Sequence, residues 1–149
     1  MNTNEMIKAT GRLNIQVIGP DGMIKDVQTV DNLVVSVGLN FIASRIRDAS
    51  ATVMSHMAVG SGTAPAASGN TALGTELGRV ALTSTTATNN AVAFVATFGA
   101  GVGTGAVTEA GLFNASTAGT MLCRTVFGVV NKEAADTMSI TWTVTIGAA

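Results

Sequence analysis

The 149-residue sequence holds one cysteine, one histidine, two prolines and no tyrosine, and only 11% of its residues are charged. Each shortage excludes a class of chemistry. Cys123 alone cannot close a disulfide within the chain. It is expected to be a small buried hydrophobe on a strand, in a reducing cytoplasm. His56 and Cys123 together cannot supply the usual zinc set. The acids Asp21, Asp26, Asp31, Asp48, Glu76, Glu109, Glu133 and Asp136 are scattered, with no D-x-D-x-D loop for calcium. Nucleophilic catalysis would have to use His56 as its base, yet no G-x-S-x-G elbow is present, and "GSGT" at Gly60–Thr63 lacks the helix-opening context an elbow needs. The sequence therefore leads us to expect no catalysis, no metal, no cofactor and no small-molecule substrate.

The charges that do occur nearly cancel, eight basic against nine acidic, and form no basic stripe, which argues against electrostatic binding of nucleic acid. The charge-free stretches Ala49–Thr75 and Val80–Thr108 are broken repeatedly by Gly, Ser, Thr and Asn. Neither supplies the roughly 20 predominantly apolar residues of a membrane-spanning helix. The opening "MNTNEMIKAT" has no apolar core of the secretory kind, so a cytoplasmic site of synthesis is expected. Mean hydropathy is nonetheless high, at +0.44. A chain this apolar and this poor in charge is expected to have much of its surface covered by partners.

What the sequence does contain is β patterning. In "GRLNIQVIGPDGMIKDVQTV", Leu13, Ile15 and Val17 alternate with Asn14 and Gln16, and "GPDG" (Gly19–Gly22) supplies a hairpin turn. "AVAFVATF" places Val92, Phe94, Ala96 and Phe98 on one face. "VTEAGLF" reads as a strand, and so does "MLCRTVF", with Arg124 in its middle. "SITWTVTI" puts Ile140, Trp142, Val144 and Ile146 inward and Ser139, Thr141, Thr143 and Thr145 outward. One helix is expected near residues 37–48, with Leu39, Ile42 and Ile46 inward, Phe41 beside them and Ser36 as its cap. The fold class that follows is mainly β: a single-domain antiparallel sandwich or barrel, jelly-roll-like, over residues 1–149, with one short helix.

Two glycine-rich stretches resemble phosphate cradles in composition. "GAGVGTGA" is followed by a probable strand where a dinucleotide loop must open a helix, and no G-K-[ST] is present. "HMAVGSGTAPAASGNTALGTELGR" fails on the same context and reads as a specified surface loop. Glu76 and Arg79 sit three apart in "TELGR", and Glu109 and Arg124 also stand in neutral surroundings. Charges so placed are expected to be ion-paired, within the chain or across an interface, because burying them alone is costly.

Three stretches, "MAVGSGTAPAASGNTALGTELGR", "VTEAGLFNASTAGTMLCRTVF" and "NKEAADTMSITWTVTI", resemble virion structural proteins of tailed bacteriophages. The grammar is similar to that of tail-collar and tail-fibre attachment domains. There a Gly-Thr-Gly-like loop with proline precedes T-A-L-x-x-E-x-x-R, and E-x-G-L-F precedes a strand carrying arginine. The matching positions are Gly60, Gly62, Pro65, Thr71, Ala72, Leu73, Glu76 and Arg79, then Glu109, Gly111, Leu112, Phe113 and Arg124. The resemblance spans Met57 to Ile146 and implies a non-enzymatic virion protein made in the bacterial host cytoplasm. With no fibre shaft or tip after Ile146, it points to a cement or decoration subunit on the capsid surface. Its implied partners are the major capsid protein and copies of itself. A small tail, baseplate or fibre-attachment subunit is the alternative. On this reading Gly60, Gly62, Pro65, Leu73, Glu76, Arg79, Glu109 and Arg124 belong to an interface with a neighbouring subunit, and residues 1–10 form an arm that orders on assembly.

Overall fold

Alternating apolar and polar residues give nine antiparallel strands and one helix among the residues described, 6–48 and 50–148, in a computed structural model of the chain. They are β1 (Ile7–Ile18), β2 (Ile24–Val34), α1 (Ser36–Arg47), β3 (His56–Gly60), β4 (Glu76–Ala81), β5 (Ser84–Thr88), β6 (Ala91–Phe98), β7 (Gly105–Phe113), β8 (Met121–Lys132) and β9 (Thr137–Ala148). The expected first hairpin forms as its turn residues dictate. Gly22 takes a φ of +81°, the left-handed region open to glycine. The Gly19 N–H donates to the Met23 carbonyl at 2.9 Å and the Asp21 carboxylate accepts from the Met23 N–H at 2.9 Å.

The strands make one sheet in the order β4-β3-β7-β8-β2-β1-β9-β6-β5. Its two outermost strands, β4 and β5, are consecutive in sequence, with only Leu82 and Thr83 between them. The Leu82 N–H donates to Ser55 at the head of β3, and the next N–H, of Thr83, donates to Val95 on β6. The chain thus steps from one edge of the sheet to the other within two residues. Three Cα–Cα steps reach at most roughly 11 Å, so the sheet must curl until its two edges come close at that one end, without pairing. Curling sets β2-β1-β9-β6-β5 against β4-β3-β7-β8, and β2 joins the halves by pairing Leu33 and Val34 with Arg124 and Cys123 of β8.

The core fills the space between these halves. Leu13, Ile15 and Val17, with Phe94, Ala96, Phe98, Ile140, Trp142 and Val144, enter from one side, as their alternation predicts. Met57, Val59, Val107, Leu112, Phe127 and Val130 enter from the other. Burying each large apolar side chain contributes roughly 1.5–3 kcal/mol. The indole of Trp142 donates to Asn32 Oδ1 at 2.8 Å. Gly11 leaves room for that Asn32 side chain, which a Cβ at position 11 would overlap. Cys123 is fully buried on β8, and desolvation pushes its thiol well up.

Three expectations are corrected. The helix begins at Ser36, which is its first residue and not its cap; Val35, extended at φ −79°, holds the cap position without a side-chain hydrogen bond. Its inward face is also rotated. Leu39 and Ile46 are exposed, at 49% and 82%, while Phe41 and Ile42 pack on the core. Gly38 is the buried residue of the helix because the backbone of Leu122 on β8 lies where its Cβ would go. Contact is therefore centred on the stripe Gly38–Phe41–Ile42, one helical step from Leu39–Ile46. Finally, Ile7–Thr10 of the expected arm belong to β1 and pair with β9 from Ala148 to Thr145, while residues 1–5 lie outside the described residues.

Candidate functional site: the outer face of the four-stranded half

Strand register brings five of the eight singled-out residues onto one face. Arg79 of β4 stands opposite Ala58 of β3, Ala58 opposite Gly111 of β7, and Gly111 opposite Arg124 of β8. The next outward row runs Glu76, Gly60, Glu109. Side chains alternate along a strand, so residues three apart, such as Glu76 and Arg79, would normally point to opposite faces. A bulge in β4 resolves this. The register shifts between Val59 and Gly60, where Val59 opposes Gly78 and Gly60 opposes Glu76, so Leu77 is an extra residue. The bulge returns Glu76 to the face of Arg79, and their side chains pair at 2.7 Å.

Arg79 anchors one loop to this face. Its guanidinium stacks 3.8 Å above the centroid of Phe113 and donates to the carbonyls of Ala115 and Ala118, at 3.0 and 2.9 Å, in the β7–β8 connection. Arg124 and Glu109 anchor the other. Both are buried, and Arg124 meets Glu109 Oε2 with Nη2 at 2.8 Å and Nε at 3.1 Å. The remaining donors of the carboxylate come from the glycine-rich loop. Oε1 accepts the N–H of Gly62 and of Thr75, each at 2.8 Å, and Oε2 accepts the N–H of Gly74 at 2.9 Å. Arg124 continues outward to Asn70 Oδ1 at 3.0 Å and to the Ala64 carbonyl at 3.1 Å. Thr108 closes the circuit by donating to the Gly62 carbonyl at 2.8 Å.

The stretch His56–Arg79, read from the sequence as one surface loop, is instead strand at both ends, in β3 and β4, and its middle, Ser61–Thr75, is an anion cradle whose anion is Glu109 of the same chain. Its glycines are required by that carboxylate. A Cβ at Gly62 would lie 2.5 Å from Glu109 Oε1, and one at Gly60 would overlap the Thr75 carbonyl. Burial pushes the Glu109 carboxyl upward, but the N–H groups of Thr75 and Gly74, the Arg124 guanidinium and the Gly62 N–H outweigh it and leave it below the ordinary glutamate range. A carboxylate holding five donors has little capacity left to abstract a proton from a substrate.

The other singled-out residues border this network. Leu73 tucks against Val35, Ala58, Phe113 and Met121 in a small second core beneath the loop. Pro65 is exposed and lines a shallow cleft of about 460 Å³ with Asn32, Leu33 and Arg124. Glu76 is exposed at the rim. Sequence reasoning missed Asn70, which joins Arg124 to the loop while also accepting the Ala67 N–H at 2.8 Å. Its signal was its place in a Gly/Ser/Asn turn, where an Asn side chain commonly bonds nearby backbone. It also missed Lys25, Lys132 and Asp136, which gather at the opposite end of β8. There Lys25 pairs with buried Asp136 at 2.8 Å, and buried Lys132 donates to the Gly99 carbonyl at 2.9 Å. The sole histidine, His56, has Nδ1 2.8 Å from Ser55 Oγ, and among the described residues no carboxylate hydrogen-bonds its ring. That leaves the pair without the orienting acid of a triad.

No family model, curated protein or solved structure matches this chain.

Proposed function

We propose that this chain is a non-enzymatic structural protein of a tailed-bacteriophage virion, acting as a cement or decoration subunit that fastens major-capsid subunits on the capsid surface. One observation carries the reading. The residues that bear the resemblance to phage virion proteins, among them Gly60, Gly62, Glu76, Arg79, Glu109, Gly111, Phe113 and Arg124, are those that lock two loops onto one face of the sheet. Their charged side chains are paired with one another within the chain, Arg79 with Glu76 and Arg124 with Glu109, although the buried Arg79 Nε has no hydrogen-bond partner. What the locked loops show to the outside includes Thr63, Ala64, Pro65, Ala67, Ser68 and Gly69 of the first and Ser116, Thr117, Ala118 and Gly119 of the second, small side chains in a fixed backbone. Such a surface orders little on contact, which keeps the entropic cost of docking low.

The mechanism is mass action. A subunit that binds only the assembled shell stabilises that shell. Each contact can be modest because many copies act on one symmetric lattice. The test is mass spectrometry of purified virions of the phage that encodes the chain, with heads and tails separated. A copy number comparable to that of the major capsid protein, confined to heads, is the expected result. A few copies confined to tails would replace this reading by the tail or baseplate one, and absence from both fractions would end it.

A further inference from the structure

The two edges of the sheet differ. β4 carries Glu76 and Arg79 and a bulge, and the backbone of Gly103 lies against it at Gly78. Charges, bulges and covering loops are the devices by which natural sheets keep an edge from pairing. β5, with the sequence STTAT, has none of them. All five of its residues are exposed, it contains neither charge nor proline, and its register with β6 runs unbroken from Ser84–Val95 to Thr88–Ala91. Among the described residues no strand lies on its other side. Behind it β6 and β9 also lack Asp, Glu, Lys and Arg, so three adjacent strands are free of charge.

We infer that β5 pairs with β5 of a second copy of this chain, antiparallel about a two-fold axis at Thr86. The matching of the strand with itself points to a second copy, and its lack of charge permits the pairing. In a two-fold antiparallel pair a strand meets itself, so any charged residue at its centre would face its own mate. STTAT is self-complementary: Ser84 faces Thr88, Thr85 faces Ala87 and Thr86 faces Thr86, small side chains of the kind that hydrogen-bond and pack across strands. The pairing satisfies the open backbone groups of β5 and joins two five-stranded halves into one ten-stranded sheet. A mainly apolar cleft of about 360 Å³ opens beside β5, with Thr85 on its wall, Phe41, Val53, Val92 and Ile146 around it and Arg45 of α1 at its side. Five residue pairs fall short of the roughly 1,200 Å² of a stable interface, so the dimer is weak and concentration-dependent. This pairing belongs to the free chain and stands apart from the virion reading.

Sedimentation velocity over a concentration series tests it, with the wild type shifting from monomer to dimer. Thr86→Lys and Thr86→Glu, each verified as folded by circular dichroism and Trp142 fluorescence, are monomeric alone and form a mixed dimer together, because opposite charges then meet at the axis. Thr86→Cys gives a covalent dimer on oxidation, whereas Thr97→Cys, exposed on β6, does not; native Cys123 is buried and takes no part. A wild type that stays monomeric, a dimer that Thr86→Lys leaves intact, a Lys/Glu mixture that stays monomeric, or a Thr86→Cys chain that does not cross-link would each overturn the inference.

Discussion

At the scale of single residues, Glu109 is the joint of the molecule. Its two oxygens hold the strands of one half-sheet to a loop that departs some forty residues earlier, from Gly62 to Thr75. Glu109→Gln removes the charge that Arg124 was buried against and turns one oxygen into a donor aimed at donors. Breaking a buried pair in this way costs about 3–5 kcal/mol. Urea unfolding followed through the single tryptophan, Trp142, is the measurement; an unchanged midpoint would show that the pair contributes nothing. The double variant Glu109→Gln/Arg124→Met is expected to lose less than the sum of the single losses, since the two side chains share one network. Acid acts through the same group. The folded carboxyl titrates below its ordinary value of 4.5, so its contribution is complete above that value and is lost as the pH falls through the lower, folded one. Wild type is therefore expected to lose stability on acidification below about 4.5, and Glu109→Gln to show a shallower loss over the same range. The pairing of these charges was legible from their neutral surroundings. The identity of the carboxylate's other donors was not, because backbone N–H groups carry no residue signature.

At the scale of elements, the first hairpin and β6 to β9 were legible, β3, β4 and β5 were not, and the helix was legible only in part. Period-two alternation assigned the inward sets of β1, β6 and β9 because each strand has one buried face and one open one. Period two does not hold across β4, where the extra Leu77 lets residues three apart share a face. For α1 the apolar stripe Leu39–Ile42–Ile46 holds at Ile42 but not at Leu39 and Ile46, because the close approach of the helix to β8 is made at Gly38, a residue with no side chain. Gly38→Ala tests this. At an exposed helical site that change stabilises by about 1 kcal/mol. Here the new methyl meets the Leu122 carbonyl, so a loss of about 1–3 kcal/mol is expected. Thermal melts that show a gain would mean the helix is free to lift from β8.

At the scale of the whole molecule, the scarcity of charge acquires a location. The eight basic and nine acidic residues lie off β5, β6 and β9, which form one uncharged end of the sheet. Association through that end should therefore respond little to ionic strength. Between about 0.05 and 0.5 M salt, where screening shortens from over 10 Å to under 5 Å, the self-association constant measured by sedimentation is expected to change by less than about twofold. A steep decline with salt would place the contact on a charged surface instead.

The sequence by itself determined the β class, the first hairpin, the inward residues of three strands and the need of its isolated charges for partners. These are local matters, set by alternation, turn chemistry and the cost of burying charge. Only the tertiary structure decided that the glycine-rich loop encloses the chain's own carboxylate, that the helix docks through a glycine, and that β4 and β5 end up as the two edges of a curled sheet. Those outcomes depend on which distant strands pair and in what register, and no local period along the chain carries that information.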